Sequence, residues 1–286
     1  MIIAIASGKG GTGKTTVAVS LALSLAADGE DGSVTLLDCD VEEPNDHLFL
    51  EPVFEREEAV PLLMPVVDPQ RCTLCGRCAE VCHYNAIAVV GRQVLIFREL
   101  CHACGSCAIN CPEGAISEVP VQVGTIALGA AGALCFGHGV LGIGQALAPP
   151  IIRALKRLGL RDGALNILDA PPGTACPVVE TLRGADFALL VTEPTPFGLH
   201  DLCLAVEVAR DEMGLPVGVV INKDGLGDQG VDHYCAQESI PVLMRIPFSR
   251  HIAEVCARGE PLVQALPEYR KAFTRLHEAI EAEAVR

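Results

Sequence analysis

The chain has 286 residues, half of them hydrophobic, which suffices for a sizeable core in one large α/β domain or two of ordinary size. A formal net charge of −15 argues against non-specific nucleic-acid binding, which needs lysine and arginine on phosphates, and against an anionic membrane surface. The opening MIIAIASGKGG reads straight into a strand and loop with no basic n-region or cleavage site. This predicts a cytoplasmic protein in which clustered cysteines are metal ligands rather than disulfides.

Residues 1–7 form a short apolar run, followed by a glycine-rich loop and a helical pattern over residues 15–27 that ends at Gly29. The loop, Gly8-Lys9-Gly10-Gly11-Thr12-Gly13-Lys14-Thr15, satisfies G-x-x-x-x-G-K-[ST] with a strand before it and a helix after it, the context a phosphate-binding loop requires. Its glycines let backbone N–H groups, Thr12 included, wrap phosphates, and the helix N-terminus adds its dipole. Lys14 is expected to reach the β- and γ-phosphates, Thr15 to ligate Mg²⁺, and Thr16 to donate a further hydrogen bond. A second apolar strand, residues 33–38, ends in acidic residues. Strand, loop, helix and strand open a parallel α/β sheet.

The rhythm then breaks. Between about Pro65 and Ser117 stand Cys72-Cys75-Cys78-Cys82 and Cys101-Cys104-Cys107-Cys111, both spaced C-x2-C-x2-C-x3-C. They hold eight of the fourteen cysteines and form the one internal repeat of the sequence. Four thiolates this dense on a short loop suit the corners of a cubane iron–sulfur cluster. Structural zinc, the alternative, uses isolated C-x2-C pairs parted by a longer spacer. Short strands are predicted at residues 86–90 and 93–97 around a turn at Gly91-Arg92. The other cysteines (Cys39, Cys135, Cys176, Cys203, Cys235, Cys256) read as small buried hydrophobes.

Residues 119–152 carry no charged side chain, but seven glycines with Gln122, His138 and Gln145 interrupt them. Short buried strands and turns fit better than a membrane span. Further buried strands are expected at residues 164–169, 187–192, 217–222 and 241–246, with helices near 151–158, 176–183, 200–212 and 252–258. A last amphipathic helix runs from residue 267 toward 283 with Ala272, Phe273, Leu276 and Ile280 on one face. The expected organisation is an α/β P-loop NTPase domain with a mostly parallel sheet, residues 1–64 and 119–286. An inserted α+β unit occupies residues 65–118.

Lys9 is additional to the phosphate-loop consensus. With it, the loop matches K-G-G-x-G-K-T, the deviant form of the family that includes the ParA and MinD partition ATPases, the nitrogenase iron protein and the Mrp-type iron–sulfur carriers. Together with the cysteine runs, the chain resembles MinD-superfamily ATPases that carry an inserted bacterial ferredoxin-like domain. The resemblance implies ATP, Mg²⁺ and two 4Fe–4S clusters as cofactors. It also implies an ATP-sandwich dimer, with itself or a paralogous ATPase, in which Lys9 reaches the partner's nucleotide. Asp38-Cys39-Asp40 resembles the first switch, where Asp40 would position the attacking water and Asp38 would sit nearer the metal. Asp169-Ala170-Pro171-Pro172-Gly173-Thr174 resembles the second switch, where Asp169 would hold Mg²⁺ through water and Gly173 would sense the γ-phosphate. Asn222-Lys223 and the segment Ile246-Pro247-Phe248 resemble the base-side loops. Gly225 stands where guanine recognition would need an acid, which favours adenine.

In two-cluster ferredoxins the fourth cysteine of each run serves the other cluster. The implied sets are Cys72, Cys75, Cys78 with Cys111, and Cys101, Cys104, Cys107 with Cys82. Cys111-Pro112 keeps the ferredoxin ending, whereas His83 follows Cys82 and marks that cluster as the one tuned differently; His83 and His102 are read as outer-sphere or surface residues. The resulting expectation is a slow Mg-dependent ATPase that couples dimer switching to electron transfer, with a redox partner or a cluster-client protein. Cluster assembly or delivery of the Mrp type is the alternative, although no C-x-x-C pair stands outside the two runs. Spatial positioning is opposed by the acidic C-terminal tail. Amide ligation of the cobyrinic-acid-diamide-synthase type is opposed by the lack of room for a glutaminase domain.

Overall fold

The computed structural model describes residues 1–27, 29 and 31–285. Its strands are β1 (Ile2–Ala6), β2 (Val34–Asp38), β3 (Val53–Val67), β4 (Ile87–Val90), β5 (Gln93–Ile96), β6 (Ile116–Ala131), β7 (Leu134–Leu141), β8 (Leu165–Asp169), β9 (Phe187–Thr192), β10 (Val217–Asp224) and β11 (Val242–Pro247). Nine of them form one sheet in the order β11-β10-β9-β1-β8-β2-β7-β6-β3, and β4 with β5 forms a separate hairpin. From β11 to β7 every neighbouring pair is parallel; β7–β6 and β6–β3 are antiparallel.

Strand alternation assigns the two faces. On β1, Ile3 and Ile5 pack with Val17 and Leu21 of the helix Lys14–Ala26 and with Phe273, Leu276 and Ile280 of the helix Arg270–Ala284. Ala4 and Ala6 point the other way, into a cluster with Ile151, Val178 and Leu202 from the helices Pro149–Gly159, Cys176–Leu182 and Pro196–Val206. Strands buried on both sides read as continuous apolar runs, which is why this half of the fold is visible in the sequence. The expected strands and helices after residue 160 are present within a few residues. The segment 200–212 divides into the helix Pro196–Val206 and a π turn, Glu207–Glu212.

The uncharged stretch is β6, a turn and β7, and no helix among the described residues is long and apolar enough to cross a membrane. β6 is long, however, not one of several short strands: it pairs with β3 from Ala130↔Val53 to Ile116↔Val67. The glycines of this stretch admit close packing. A Cβ on Gly139 would lie 2.7 Å from both Ile151 Cγ2 and Val41 Cγ1.

The parallel strands end together at their carboxyl edge, where Asp38 lies opposite Asp169 on one side and His138 on the other. β7 stops at Leu141, opposite Gly124 of β6, which in turn faces Val60 of β3. A register shift between Val60 and Pro61 marks the point where β3 and β6 leave the sheet as a two-stranded ribbon. The ribbon continues through residues 61–67, a reach of about 23 Å at the usual rise per residue. It projects past the carboxyl edge, and residues 68–115 are built at its tip.

That unit is a repeat in conformation as well as sequence. Advancing each position by 29 residues superposes Cys72 on Cys101 and the helical turn Arg77–Glu80 on Ser106–Ile109. Positive φ recurs at Leu74 (61°) and Ala103 (50°), at Gly76 (82°) and Gly105 (74°), and at Asn85 (52°) and Gly114 (54°). Cys78, Ile87, Cys107 and Ile116 form its small core.

Candidate functional site

The carboxyl edge of a parallel sheet collects ligand-binding loops, above all where successive connections depart to opposite sides of one strand. β1 is that strand here, flanked by β8 and β9. The loop that follows it carries Gly8 to Lys14, and the helix beginning at Lys14 presents its free N–H groups beside it. Gly173 N donates to Ser7 O at 2.9 Å, fastening the segment after β8 to the base of the loop.

Lys14 is buried and donates from Nζ to Asp169 Oδ1 at 2.5 Å, while Thr15 Oγ1 donates to Asp169 Oδ2 at 2.7 Å. Asp38, Asp46 and Asp169, all buried, each bring an oxygen within 4.8 Å of the others. Asp38 accepts from the backbone N–H of Asp40 (3.0 Å), Asn45 (2.8 Å) and Asp46 (3.1 Å). Both carboxylate oxygens of Asp46 lack a hydrogen-bond partner among the described residues.

Three carboxyls facing one lysine are short of positive charge. Burial, and then the charge of Asp169, pushes the Asp38 carboxyl up to about 7. Burial, then Asp38 and Asp169, pushes Asp46 well above the usual carboxylate range. For Lys14, burial works against the ammonium, but Asp169 and its hydrogen bond, with Asp46 and Asp38 behind, hold the pKa above its ordinary value. A divalent cation meets this shortage. Hard carboxylate and hydroxyl oxygens are the donors Mg²⁺ takes, so Thr15, Asp38 and Asp169, joined by Asp46, fit it.

Asp40 is half-buried, its carboxyl raised chiefly by burial. It lines a cavity of about 660 Å³ between the segments that follow β2 and β8, together with Glu42, Glu43, Ile143, Pro171 and Pro172. On the other flank, Asn222 Nδ2 donates to Thr12 O at 2.8 Å and Lys223 Nζ donates to Gly11 O at 3.0 Å. Pro247 pairs with Asp224, and Phe248 N donates to Asp224 O at 2.8 Å, so the two expected base-side segments lie side by side. Thr16 faces Cys256, with Oγ1 and Sγ 3.8 Å apart.

Lys9 has a partner within the chain. Its Nζ donates to Glu193 Oε1 at 2.5 Å, and Lys223 Nζ donates to Glu193 Oε2 at 3.0 Å. Burial opposes the Glu193 carboxylate, but hydrogen bonds from Lys9 and Lys223 hold its pKa below the ordinary value. Sequence reasoning missed Glu193 and Asp46. Glu193 closes a buried strand, a position that carries function in parallel sheets; Asp46 precedes a short helix, where it reads as a cap.

The structure brings cysteines of the two runs together. All fourteen are free. Cys82 lines one cavity with Cys101, Cys104 and Cys107, a cysteine of the first run among three of the second. The other ends also cross: Arg71, beside Cys72, donates from Nη2 to the carbonyl of Glu113, near Cys111, at 2.7 Å. Besides burial, Cys72 and Cys75 raise the Cys78 thiol, and Cys101 and Cys104 raise that of Cys107, so each triplet is grouped. Ala86 N donates to Cys82 Sγ at 3.3 Å and Ala115 N to Cys111 Sγ at 3.2 Å. Backbone donors of this kind stabilise thiolate ligands. One complete donor set, Cys82 with Cys101, Cys104 and Cys107, thus fits a cluster, and the repeated backbone gives Cys72, Cys75 and Cys78 the same arrangement.

Residues 3–262 match the CobQ/CobB/MinD/ParA nucleotide binding domain. An uncharacterized protein of Methanocaldococcus jannaschii, MJ0578, is 31% identical over 284 residues, covering 98% of this chain and 96% of its own. The cell division ATPase MinD of Pyrococcus furiosus superposes with a TM-score of 0.56 at 26% identity, covering 98% of each chain. The Pyrococcus horikoshii septum site-determining protein MinD, complexed with Mg-ADP, shares the fold with a TM-score of 0.55 at 21% identity and covers 98% and 95%. A 44-residue stretch, 15% of this chain and 14% of the relative, is 57% identical to the mouse iron–sulfur cluster transfer protein NUBPL. With its phosphate loop, acidic cation site and doubly wound sheet, the chain belongs to the CobQ/CobB/MinD/ParA family and is a nucleotide-binding and nucleotide-hydrolysing P-loop ATPase.

Proposed function

We propose that this ATPase couples nucleotide-driven dimer switching to electron transfer through two 4Fe–4S clusters held by an inserted ferredoxin-like domain. The observation that carries the reading is the ribbon, which leaves the sheet at the nucleotide edge and bears the cysteine unit at its tip. Cys72, Cys75, Cys78 and Cys111 would hold one cluster, and Cys101, Cys104, Cys107 and Cys82 the other. When bound, such clusters supply one-electron transfer.

The protein side of the cycle follows from the site. Lys14 and the loop amides neutralise phosphate charge, and Thr15, Asp38 and Asp169 hold the cation. Asp40 orients water, and Lys9 leaves Glu193 to reach the nucleotide of a second protomer, a copy or a paralogue. Positioning and charge neutralisation account for catalysis in phosphoryl transfer, so these displacements are the working parts. Asn222, Lys223 and Pro247 frame the adenine side.

The structural path supports the coupling. Val41, next to Asp40, accepts at its carbonyl from Leu141 N at 2.7 Å, where β7 ends and the ribbon departs. Val41, Val60, Met64, Val123 and Cys101 belong to one continuous buried cluster. A change at the first switch therefore has packed side chains between it and the cysteines. In the cytoplasm a soluble redox protein would be the partner.

A second reading, assembly or delivery of clusters to a client protein, is favoured by the similarity to NUBPL. Anaerobic titration followed by mixing with an apo-acceptor separates the two. Electron transfer requires clusters that stay on this chain while passing electrons; rapid loss of iron and sulfide to the acceptor would establish the carrier instead.

A further inference from the structure

The repeat permits a comparison of the two cysteine sites, position by position. Tyr84 stands two residues after Cys82, and its counterpart 29 residues on is Glu113; His102 follows Cys101, and its counterpart is Thr73. Tyr84 and His102 stack with ring centroids 3.6 Å apart and planes 8° from parallel. Both line the cavity shared by Cys82, Cys101, Cys104 and Cys107, as do Pro65 and Glu118 of the ribbon. At the twin site the backbone repeats, but Thr73 and Glu113 bring no ring to it; all four of these side chains reach solvent, Tyr84 with 43% of its surface, whereas Cys101 is buried and its counterpart Cys72 is only half-buried. One site therefore has two stacked rings over a buried cysteine where the other has polar groups beside a more accessible one.

We propose that Tyr84 and His102 form an aromatic cap that makes the site of Cys82, Cys101, Cys104 and Cys107 the drier of the two and gives its cluster the lower reduction potential. This rests on the reading that the unit holds two 4Fe–4S clusters. A cluster on four thiolates gains a negative charge when it accepts one electron. Replacing water with ring faces raises the cost of that charge, and solvent exposure is one of the main controls of cluster potential. The two rings come from opposite repeats, so the cap also pins the crossing of the chain that brings Cys82 to the second run. The wetter site then accepts electrons more readily, and the dry site, whose Cys101 packs in one cluster with Val60 and Met64, retains the stronger reductant.

The test is a redox titration followed by electron paramagnetic resonance on the full chain, reconstituted anaerobically, with iron and sulfide measured first. Wild type is expected to show two reduction waves. His102→Thr, which installs the residue of the twin site at an exposed position, and Tyr84→Ala should each raise the lower wave toward the higher one. Tyr84→Phe keeps the ring and should leave both waves in place, and Thr73→Ala should leave the lower wave unmoved. A single wave in wild type, or an unmoved lower wave in both His102→Thr and Tyr84→Ala, overturns the cap while leaving a chain with about eight irons as a two-cluster protein. A chain that takes up no iron overturns the two-cluster reading and the cap with it.

Discussion

Lys9 and Glu193 form an ion pair within one chain, with Nζ 2.5 Å from Oε1 and Lys223 on the second oxygen of the same carboxylate. The side chain of Lys9 is 30% exposed, and a pair in that setting contributes no more than about 1 kcal/mol. Lys9 can therefore be withdrawn by a nucleotide across a dimer at small cost. Glu193→Gln should tighten ATP-dependent dimerisation by up to about fivefold, the equivalent of that energy. Lys9→Ala should abolish it. Sedimentation with and without Mg-ATP checks both, and an unchanged dimer in Lys9→Ala would rule out the action in trans.

Among the described residues Lys14 is the single ammonium bonded to these buried carboxyls, so its removal acts on stability as well as activity. Lys14→Ala leaves Asp169 without its ion partner, a loss of about 3–5 kcal/mol for a buried pair. ATP turnover should fall below detection, and the denaturant midpoint of the nucleotide-free protein should drop. A variant that loses turnover with an unchanged midpoint would show that the pair is not formed in solution.

The same cluster sets a pH dependence. Asp38 is raised to about 7 and Asp46 is also raised, so between an unfolded carboxyl's pKa near 4 and about 7 the folded state binds more protons than the unfolded one. The carboxyls' contribution to the stability of the nucleotide-free protein then falls as pH rises through that window, while His138, lowered to about 4 by burial, contributes in the opposite direction up to about 6.5. Glu193 and Glu180, whose values are lowered, act in the opposite direction only below their ordinary range. Asp46→Asn removes one buried acid and should raise the melting temperature at pH 8, by roughly 1–3 kcal/mol of stability, with little change at pH 5. Mg-ATP affinity should weaken in the same variant. Calorimetry at the two pH values, with and without Mg-ATP, measures both.

Gly13 has φ 91°, and a Cβ there would lie 2.1 Å from Asn222 Nδ2. Gly13→Ala should therefore combine backbone strain with loss of the Asn222 hydrogen bond to Thr12 O. Nucleotide affinity should fall about tenfold or more, given the roughly 1–3 kcal/mol of a left-handed non-glycine residue. Titration with a fluorescent ATP analogue reads this directly.

Much of this site was legible in the sequence because its determinants are local. The phosphate loop is contiguous, and Asp38, Asp169 and Asn222 each end or close a buried parallel strand. What escaped was non-local. β3 contains Phe54-Glu55-Arg56-Glu57-Glu58 and is mostly exposed, so its pattern has no buried face until β6 pairs with it. Asp46 gains its meaning only when β2 and β8 bring Asp38 and Asp169 together. Glu193 gains its own from Lys9, 184 residues away. The cysteine spacing predicts metal ligands, but the Tyr84–His102 stack depends on the crossing of two repeats and leaves no mark at either residue.

The central claim is that nucleotide state and the cysteine unit are coupled through the ribbon. The most direct test is the reduction potential of the anaerobically reconstituted chain with and without Mg-ATP, in wild type and in Lys9→Ala. The account predicts that ATP shifts at least one wave in wild type and neither wave in the variant. Potentials that are the same with and without ATP in the wild-type chain would contradict it.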